Sequence, residues 1–465
     1  MTVVGEPLAR AREALVGVPA WLVGGALRDR LLGREVTDLD IVVDGDVEAA
    51  ARALGRALGG FVFRLSEEFG AWRVLARDRC WHADVSPLRG GSLDADLALR
   101  DFTVNAIAEP LAGGEPYDPH GGVADLAARR LRMVSERAFA DDPLRVVRAA
   151  RLACELGMEV ESATVAAARA RAGAARDVAQ ERVFAELRRI VACVDVVRGI
   201  GLLDEVGATD AVLPELSALR GIEQTRYHHL DVYGHTLEVL AQAVELERDP
   251  EALLGERVGA RVRALLDEPL ADETTRGGAL RWGALLHDAA KPATQTPHPD
   301  GGFGFPHHDR EGAELARAVL GRLRASERLR AHVAALTLHH LRLGFLVHRR
   351  PLSAHDHYAY LSECEPVEAD VTLLSVADRL ATRGRKADEA IERHLELARE
   401  ILPLALDWRD AGGAPAPLVR GDELARALGL DPGPEVGRRL EALREAQYAG
   451  EVATRDDALA FARRL

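Results

Sequence analysis

The sequence predicts an α+β protein, with a mixed α/β region at the N-terminus followed by all-α domains. Up to about residue 108, short apolar strands such as Trp21–Val23 and Ile41–Val43 alternate with helices. One such helix is predicted over Val47–Leu58, with Gly59 closing it. From Asp142 onward, long helices rich in Ala, Leu and Arg replace the strands. A chain of 465 residues exceeds what one hydrophobic core supports, so several domains are expected.

Three further strands are expected at 61–63, 72–75 and 81–85. Shifts in composition along the chain predict four domains. The domains are a head over residues 1–140, a helical neck over 141–220, a second helical region over 221–403 and a helical tail over 418–465. A polar linker rich in Gly and Pro precedes the tail. Because no 18-residue apolar run and no signal segment occur, we expect a cytoplasmic protein without membrane contact.

The net charge of −14 is unevenly distributed. Seven arginines lie between Arg129 and Arg151, so a local basic surface could bind phosphate on an acidic protein. Since 58 of the 60 basic residues are arginine, coding bias explains much of their number, and only their position is informative. The four cysteines have no paired spacing, which predicts reduced core residues and neither a disulfide framework nor a zinc site.

The strongest local signal is the segment Gly24–Asp29, followed nine residues later by Asp38 and Asp40. Two glycines allow backbone N–H groups to approach a triphosphate, and Arg28 supplies a charged fork. Aspartates at positions i and i+2 of a strand project from the same face. That spacing lets both carboxylates hold divalent cations around one reacting phosphate.

Two later segments add polar residues to this signal. In Arg100–Ala106, polar and apolar residues alternate, which predicts a half-buried strand that presents its polar side chains to a ligand. Asp142 precedes a helix on which Arg145, Arg148 and Arg151 follow at three-residue steps. Such a face could read the edge of a base. The alternative is an N-capped amphipathic helix with internal ion pairs.

Fourteen of the sixteen histidines lie between residues 228 and 394. An ordered series of imidazoles and carboxylates runs through this region, and these groups are ligands for divalent transition metals. Each of these residues alone is better explained as an ordinary core or surface side chain, but the ordered series is not. Its members are His235, His287, Asp288, His308, His339 and Asp378.

The head and neck motifs resemble the class II tRNA nucleotidyltransferase and bacterial poly(A) polymerase family over residues 15–220. The resemblance implies a template-independent polymerase that adds CCA to tRNA 3′ ends from CTP and ATP. Asp38 and Asp40 would hold Mg²⁺, Asp84 would be a third carboxylate, and Asp142 with Arg145 would pair with the incoming base. The residues implied in nucleotide binding are Gly24, Gly25, Arg28, Arg100, Asp101, Asn105, Asp142, Arg145, Arg148 and Arg151.

The histidine-rich region resembles the HD-type metal-dependent phosphohydrolases. His235, the His287-Asp288 pair and Asp378 match the HD signature, and His308 and His339 match the extra ligands of a two-metal subtype. Their neighbours His307 and His340 leave that choice open by one residue. The resemblance implies phosphomonoesterase or cyclic-nucleotide phosphodiesterase activity with Mn, Ni, Fe, Co or Mg²⁺. Lys291, one of two lysines, would place a point charge near phosphate.

Three alternatives to CCA addition remain at this point. Only fifteen residues separate Asp84 from Arg100, where many CCA-adding relatives carry a longer flexible loop, so addition of CC alone is the first. Bacterial poly(A) polymerase shares the head motifs and is the second. A catalytically idle RNA-binding module is the third, although the complete carboxylate and histidine sets disfavour it. The tail is expected to contact the tRNA body or to cap a helix.

Overall fold

The structure is a computed structural model that describes residues 5–36, 38–77, 80–224, 230–297, 302–383 and 387–465. The chain divides into two compact units. The first contains Met1–Cys193 and Arg198–Val212, and the second contains Val194–Val197 and Leu213–Leu465. The α+β class predicted from the sequence is confirmed, because the only large sheet in the described residues lies in the head.

A six-stranded mixed sheet organises the first unit, in the order β3-β4-β5-β2-β1-β6. Strands β2 and β5 are parallel, and the other neighbouring pairs are antiparallel. The five strands predicted between residues 21 and 85 are present, together with a sixth. Their bounds are β1 (Ala20–Val23), β2 (Asp38–Val43), β3 (Phe61–Ser66), β4 (Ala71–Leu75), β5 (His82–Pro87) and β6 (Ala108–Pro110).

Five helices accompany the sheet: α1 (Gly5–Ala14), α2 (Gly24–Leu31), α3 (Val47–Leu58), α4 (Leu93–Ala98) and α5 (Gly122–Ala127). Helix α3 has the predicted bounds because Asp46 accepts the N–H of Ala49 at its start and Gly59, with φ of 65°, ends it. An apolar cluster joins β1, β2, β6 and α4 through Val23, Val42 and Leu97. This core holds the strand ends that carry the carboxylates.

The segment Arg100–Ala106 is not the strand that the alternation predicted. Thr103–Asn105 forms a 3-10 turn, because Asp101 Oδ1 accepts hydrogen bonds from the N–H of Phe102 and from Asn105 Nδ2. Local side-chain bonds of this kind compete with strand pairing. The short segment between Asp84 and Arg100, which was compared above with a longer flexible loop, contains helix α4. Ser92 caps the start of this helix.

The neck is helical, as predicted. Helix α7 begins after Pro143, ends at Gly157 with φ of 63°, and buries its apolar face. The last elements of the head are β7 (Arg130–Leu131) and α6 (Ala138–Asp141). The neck elements are α7 (Leu144–Leu156), β8 (Glu159–Val160), α8 (Ser162–Arg171), α9 (Gln180–Ala192), α10 (Val196–Glu205) and α11 (Thr209–Val212).

The second unit is built around α22, which packs against α13, α16 and α23. Its helices up to the tail are α12 (Pro214–Ser217), α13 (Val232–Arg248), α14 (Pro250–Leu254), α15 (Glu256–Leu266), α16 (Arg276–Leu286), α17 (Lys291–Thr294), α18 (His308–Arg322), α19 (Glu327–His339), α20 (Arg342–Leu346), α21 (Ala354–Cys364), α22 (Glu368–Ala381) and α23 (Ala387–Asp410). Two small hairpins pair β9 (Pro269–Ala271) with β10 (Thr274–Thr275), and β11 (Thr296–Pro297) with β12 (Phe303–Gly304).

The tail forms three helices, α24 (Gly421–Leu428), α25 (Pro434–Tyr448) and α26 (Arg455–Ala462), around an apolar cluster of their own. Helix α23 runs through Pro403, so the predicted boundary at residue 403 falls inside a helix. In the described residues none of the four cysteines forms a disulfide; Cys154 and Cys364 are buried as expected, but Cys193 is half-buried and Cys80 is exposed instead of lying in the core.

Candidate active sites

Three carboxylates lie on neighbouring parallel strands of the head. Asp38 and Asp40 are on β2, and the register places Asp84 on β5 directly beside Asp40. Asp38 is exposed and Asp40 is half-buried. Burial raises the pKa of the Asp40 carboxyl, Arg100 opposes this rise, and the charges of Asp84 and Asp38 add to it. A cation at this strand end would relieve that repulsion.

The three carboxylates differ in their partners. Arg73 donates to both oxygens of Asp84, at 2.7 Å each, and His82 Nδ1 lies 2.9 Å from Asp38 Oδ1. Asp40 instead faces Gly24, where an added Cβ would lie 3.0 Å from Asp40 Oδ2. Gly24 also has φ of +68°, so a side chain is disfavoured there twice. The donor set of Asp38 and Asp40 therefore fits a divalent cation, whereas Asp84 is already neutralised by Arg73.

Seven of the ten predicted nucleotide-binding residues line a cavity of about 690 Å³, which we call the head cleft. Its polar lining comes from three parts of the first unit: the start of α2 with the strand ends, the segment 89–105, and helix α7. These lining residues are Gly24, Gly25, Asp40, Asp84, Arg89, Asp96, Arg100, Asp101, Asn105, Arg145 and Arg148.

Four predicted residues are not among those that line the head cleft: Arg28, Asp38, Asp142 and Arg151. Arg28 is buried and donates to Asn105 Oδ1 at 2.7 Å and to both oxygens of Asp29. Asp142 accepts from Arg182 at 2.7 Å and from the N–H of Leu144. Arg28 thus supports Asn105 from behind the cleft.

Helix α7 presents two arginines to the head cleft with different partners. Arg145 donates to the carbonyl oxygens of Leu99 at 2.9 Å and Ala138 at 3.2 Å. Arg148 donates to Glu186 at 2.9 Å and lies 3.4 Å from Asp101. Arg151 is buried and donates a hydrogen bond to Glu186. Glu186 was not predicted from the sequence, because it lies far from Arg151 along the chain and no local pattern links the two residues.

Asp96 is a second residue that the sequence reasoning missed. It is 1% exposed and accepts hydrogen bonds from Arg89 at 2.8 Å and from Arg100 at 2.8 Å. Burial opposes its ionisation, but Arg100 and Arg89 hold the pKa of Asp96 below its ordinary value. The four-residue spacing of Asp96 and Arg100 was the available signal.

The second unit brings the predicted histidines and aspartates into two adjoining groups. His235, His287 and Asp378 form one, and Asp288, His308 and His340 form the other. Within each group the ligand atoms lie within 4.8 Å of one another. Among the described residues, these are the groups of three or more His, Cys, Asp or Glu side chains whose ligand atoms lie close enough to hold one metal ion.

Three of the imidazoles are held by the same local contact. Nδ1 of His287, His308 and His340 lies 2.6–2.9 Å from the carbonyl oxygen three residues earlier in the chain. Because a carbonyl oxygen only accepts, the proton belongs on Nδ1, and Nε2 keeps its lone pair. Nε2 of His287 is buried and has no hydrogen-bond partner among the described residues. This orphaned atom and the donor set fit a divalent metal ion.

Electrostatics favour the ligand forms of Asp288 and His340, whereas burial fails to offset the charge of Asp288, which raises the pKa of His287. Burial opposes ionisation of Asp288, but His287 and Lys291 hold its pKa well below the ordinary value. Burial also lowers the pKa of His340 to about 4, so that imidazole is neutral at neutral pH. Lys291 Nζ lies 2.6 Å from Asp288 Oδ2 and 2.7 Å from Gln224 Oε1.

The structure decides both open choices between neighbouring histidines. His308, the histidine that was predicted as a ligand, begins α18 and is buried. Its neighbour His307 is exposed. His340, and not His339, joins the group with Asp288, so the prediction of His339 is wrong at that position. The reason is helical rotation: His340 follows the end of α19 and is buried, while its neighbour points about 100° away and is half-buried.

A cavity of about 500 Å³, which we call the histidine cleft, opens onto these groups. Asp288, His308, His340 and Asp378 form its floor. Its other polar lining includes Lys291, Arg379, Arg393, Ser375 and His394, of which the last four were missed from the sequence. Ser375 Oγ lies 3.2 Å from His394 Nε2.

The two clefts define the class of the protein: a nucleotidyltransferase head joined to an HD-type metal-binding domain. Three family descriptions match. They are "Poly A polymerase head domain" over residues 20–132, "Probable RNA and SrmB- binding site of polymerase A" over 157–219, and "HD domain" over 232–383.

The chain is similar to several proteins over nearly their whole length. It is 40% identical to an A-adding tRNA nucleotidyltransferase of Deinococcus radiodurans, covering 98% of each chain. It is 36% identical to a CC-adding tRNA nucleotidyltransferase of Thermus thermophilus, covering 95% of this chain and 92% of the relative. A multifunctional CCA protein of Xanthomonas campestris is 32% identical, with 88% and 96% covered. The chain belongs to the tRNA nucleotidyltransferase family.

Solved structures share the fold. The Thermotoga maritima CCA-adding enzyme complexed with tRNA is 19% identical, with a TM-score of 0.60 over 98% of this chain and 93% of that one. A CCA-adding enzyme with ATP gives a TM-score of 0.62 at 19% identity and the same coverage. Both the nucleotidyltransferase and the HD families are metal-dependent. In the described residues, no helix combines the length and apolarity that crossing a membrane requires.

Proposed function

We propose that this protein adds CCA to the 3′ end of tRNA from CTP and ATP, and that its HD domain hydrolyses phosphoesters. The observation that carries the first part is the head cleft, where Asp40 and the arginines of α7 line one cavity. The family relationship supports the same reaction, since relatives over the whole chain are tRNA nucleotidyltransferases. A tRNA substrate also implies a cytoplasmic location.

In this reaction the tRNA 3′-oxygen attacks the α-phosphorus, and the bond to pyrophosphate breaks. Asp38 and Asp40 would hold Mg²⁺, which lowers the pKa of the 3′-hydroxyl and neutralises phosphate charge. Arg100 and Arg148, which line the head cleft, would bind the triphosphate and orient it. Most of the rate would come from this positioning and from electrostatic stabilisation.

Base selection is assigned to Asp142 and Arg145 on the start of α7. A site that hydrogen-bonds the edges of C and A rejects bases that leave its donors unpaired. In the present conformation Asp142 bonds to Arg182, and Arg145 bonds to backbone carbonyls. Pairing with a base therefore requires both side chains to exchange these partners for the nucleotide.

A second candidate is the addition of A alone, favoured by the 40% identity to an A-adding enzyme along the whole chain. Transcripts of one tRNA that end before CCA, after C and after CC separate the possibilities when CTP and ATP are supplied singly and together. Full CCA supports the proposal. Growth only from the CC end shows the A-adding reaction, a stop at CC shows CC addition, and long A tracts show a poly(A) polymerase. Incorporation no greater than with Asp40→Asn shows an idle module.

The HD domain is assigned a phosphohydrolase reaction with a divalent transition metal (Mn, Ni, Fe or Co) or Mg²⁺. His235, His287 and Asp378 would hold one ion, and Asp288, His308 and His340 a second. Asp288→Ala is expected to remove hydrolysis of p-nitrophenyl phosphate and most of the bound metal, with nucleotide addition unchanged. Unchanged metal stoichiometry in this variant contradicts the assignment.

A further inference from the structure

The histidine cleft contains an arginine without an acidic partner. Arg379 on α22 is half-buried and lines the cleft one residue after Asp378. Its Nη2 donates a long hydrogen bond of 3.4 Å to the carbonyl of Thr382, and its Nε is buried without a partner among the described residues. Among the residues that the structure describes, no carboxylate lies within ion-pair distance of Arg379.

This combination is unusual in the molecule. Four other described arginines bury an unpartnered Nε, and three of them, Arg12, Arg330 and Arg444, pair with a glutamate through another nitrogen. The fourth is Arg145, which lines the head cleft. Each cleft thus has one partly buried arginine that has no carboxylate partner in the described residues. Keeping a guanidinium in that state is costly unless an anion binds it.

The neighbouring carboxylates do not neutralise Arg379 because they have other partners. Asp378 Oδ1 lies 3.0 Å from His235 Nε2, and Asp288 Oδ2 lies 2.6 Å from Lys291 Nζ. The charge of Arg379 is therefore available to a ligand in the cleft. A planar guanidinium fork suits two oxygens of one phosphate.

We propose that Arg379 binds a phosphate of the substrate in the histidine cleft, and that Arg393 at its rim binds a second anionic group. This inference rests on the proposed phosphohydrolase function and specifies its substrate class. Arg393 is exposed, and it also lines an adjoining cavity of about 450 Å³. Phe345, which is 60% exposed and also lines the histidine cleft, provides an apolar surface that suits a sugar or a base. The favoured substrates are phosphoesters with a second phosphate.

Binding of inorganic phosphate to the full-length, Mn²⁺-loaded protein tests Arg379 by titration calorimetry. We expect Arg379→Gln to weaken binding by about tenfold or more, with metal content unchanged. Arg330→Gln is the matched control, since Arg330 also buries an unpartnered Nε but pairs with Glu327, and it should bind like the wild type. Equal affinity of the wild type and Arg379→Gln overturns the proposal, and so does a wild type that does not bind phosphate.

The alternative is that Arg379 only caps the end of α22 through Thr382. That role predicts a lower melting temperature for Arg379→Gln but the same phosphate affinity. Arg379→Lys keeps the charge at the helix end and should fold, but an ammonium lacks the two-donor fork, so phosphate binding should weaken severalfold. If Arg379→Gln does not fold, wild-type affinity in Arg379→Lys overturns the proposal.

Hydrolysis tests the second anion site. The KM for adenosine 3′,5′-bisphosphate should rise about tenfold in Arg393→Gln, while the KM for p-nitrophenyl phosphate should stay the same. An unchanged ratio of the two KM values overturns the role of Arg393. If the wild type hydrolyses no phosphoester, the hydrolase function fails, whereas phosphate binding still decides the role of Arg379. In that event, equal binding of the bisphosphate by the wild type and Arg393→Gln overturns the role of Arg393.

Discussion

The head cleft and the histidine cleft position their charged groups in different ways. In the head, Asp84 is held by Arg73, its direct cross-strand partner on β4, and Asp101 by Arg148, which lies far from it along the chain. In the histidine cleft, each of three imidazoles is fixed by the carbonyl three residues before it. The first arrangement depends on tertiary structure, and the second on a single turn of backbone.

This difference suits the two tasks. Ion pairs in the head can be exchanged for a triphosphate and a base, since each arginine regains its bonds from the ligand. Imidazoles fixed on backbone carbonyls cannot rotate without losing that hydrogen bond, so the direction of each Nε2 atom is fixed. We infer that the head cleft is arranged to change partners and the histidine cleft to keep a metal in place.

The largest effect of a substitution is expected in the head cleft, at Asp40. Asp40→Asn removes a charged ligand from the strand end, and several kcal/mol of transition-state stabilisation with it, so nucleotide addition should fall at least about a hundredfold. Asp38→Asn should act alike. Phosphoester hydrolysis should be unchanged, because the HD residues lie elsewhere in the chain. Initial rates on a tRNA transcript measure this.

Asp44→Asn is the matched control, since Asp44 follows the opposite end of β2 and is exposed. It should retain wild-type addition. Near-normal addition by both Asp38→Asn and Asp40→Asn would refute the role of the carboxylate pair.

The second effect concerns the neighbouring histidines at the end of α19. His340→Ala removes a buried neutral ligand and should weaken metal binding by about ten- to a hundredfold, whereas His339→Ala should leave it intact. Metal content after dialysis at a fixed free-metal concentration measures the difference. Loss of metal in His339→Ala but not in His340→Ala would show that the wrong histidine is assigned.

The same contrast explains what the sequence could predict. The histidine set was predictable because its ligands follow an ordered series, and the error at His339 is a rotation of one residue at a helix end. The strands and helix α3 were predictable from periodicity and from the glycine that ends the helix. The partners Arg73 for Asp84 and Glu186 for Arg148 were not, because the first pair depends on the register of β4 against β5 and no local pattern links the second. The turn at Arg100–Ala106 was missed because side-chain bonds of Asp101 override the alternation.

A smaller effect is expected at Arg145, where base selection and structure compete. Arg145→Ala should lower addition of C or A by about tenfold, equal to about 1.4 kcal/mol, and relax discrimination against UTP and GTP. If Arg145 only ties α7 to the carbonyls of Leu99 and Ala138, the variant should lose stability and keep its base preference. Incorporation of all four nucleotides, measured with a melting curve, separates the two. Arg182→Ala, which frees Asp142, is the companion variant.

The last effect is on stability instead of activity and lies outside both clefts, at Glu368 in the first turn of α22. Glu368 is 2% exposed, and burial raises its pKa to about 7, although Arg276 opposes this while Asp370 and Glu365 add to it. A carboxyl whose pKa is raised in the folded state stabilises the fold at low pH. That stabilisation is lost as the pH rises from about 4.5 through about 7.

Glu368→Gln keeps the neutral shape and removes this titration. The variant should therefore gain stability relative to the wild type as the pH rises. The difference between its free energy of unfolding and that of the wild type should be larger at pH 8 than at pH 5, by on the order of 2 kcal/mol. Urea unfolding of both proteins at the two pH values measures the difference. Nucleotide addition and hydrolysis should be unchanged, because Glu368 lines neither cleft. An identical pH dependence in both proteins would show that Glu368 does not carry the shift, and altered catalysis would show that the α22 scaffold is coupled to a cleft.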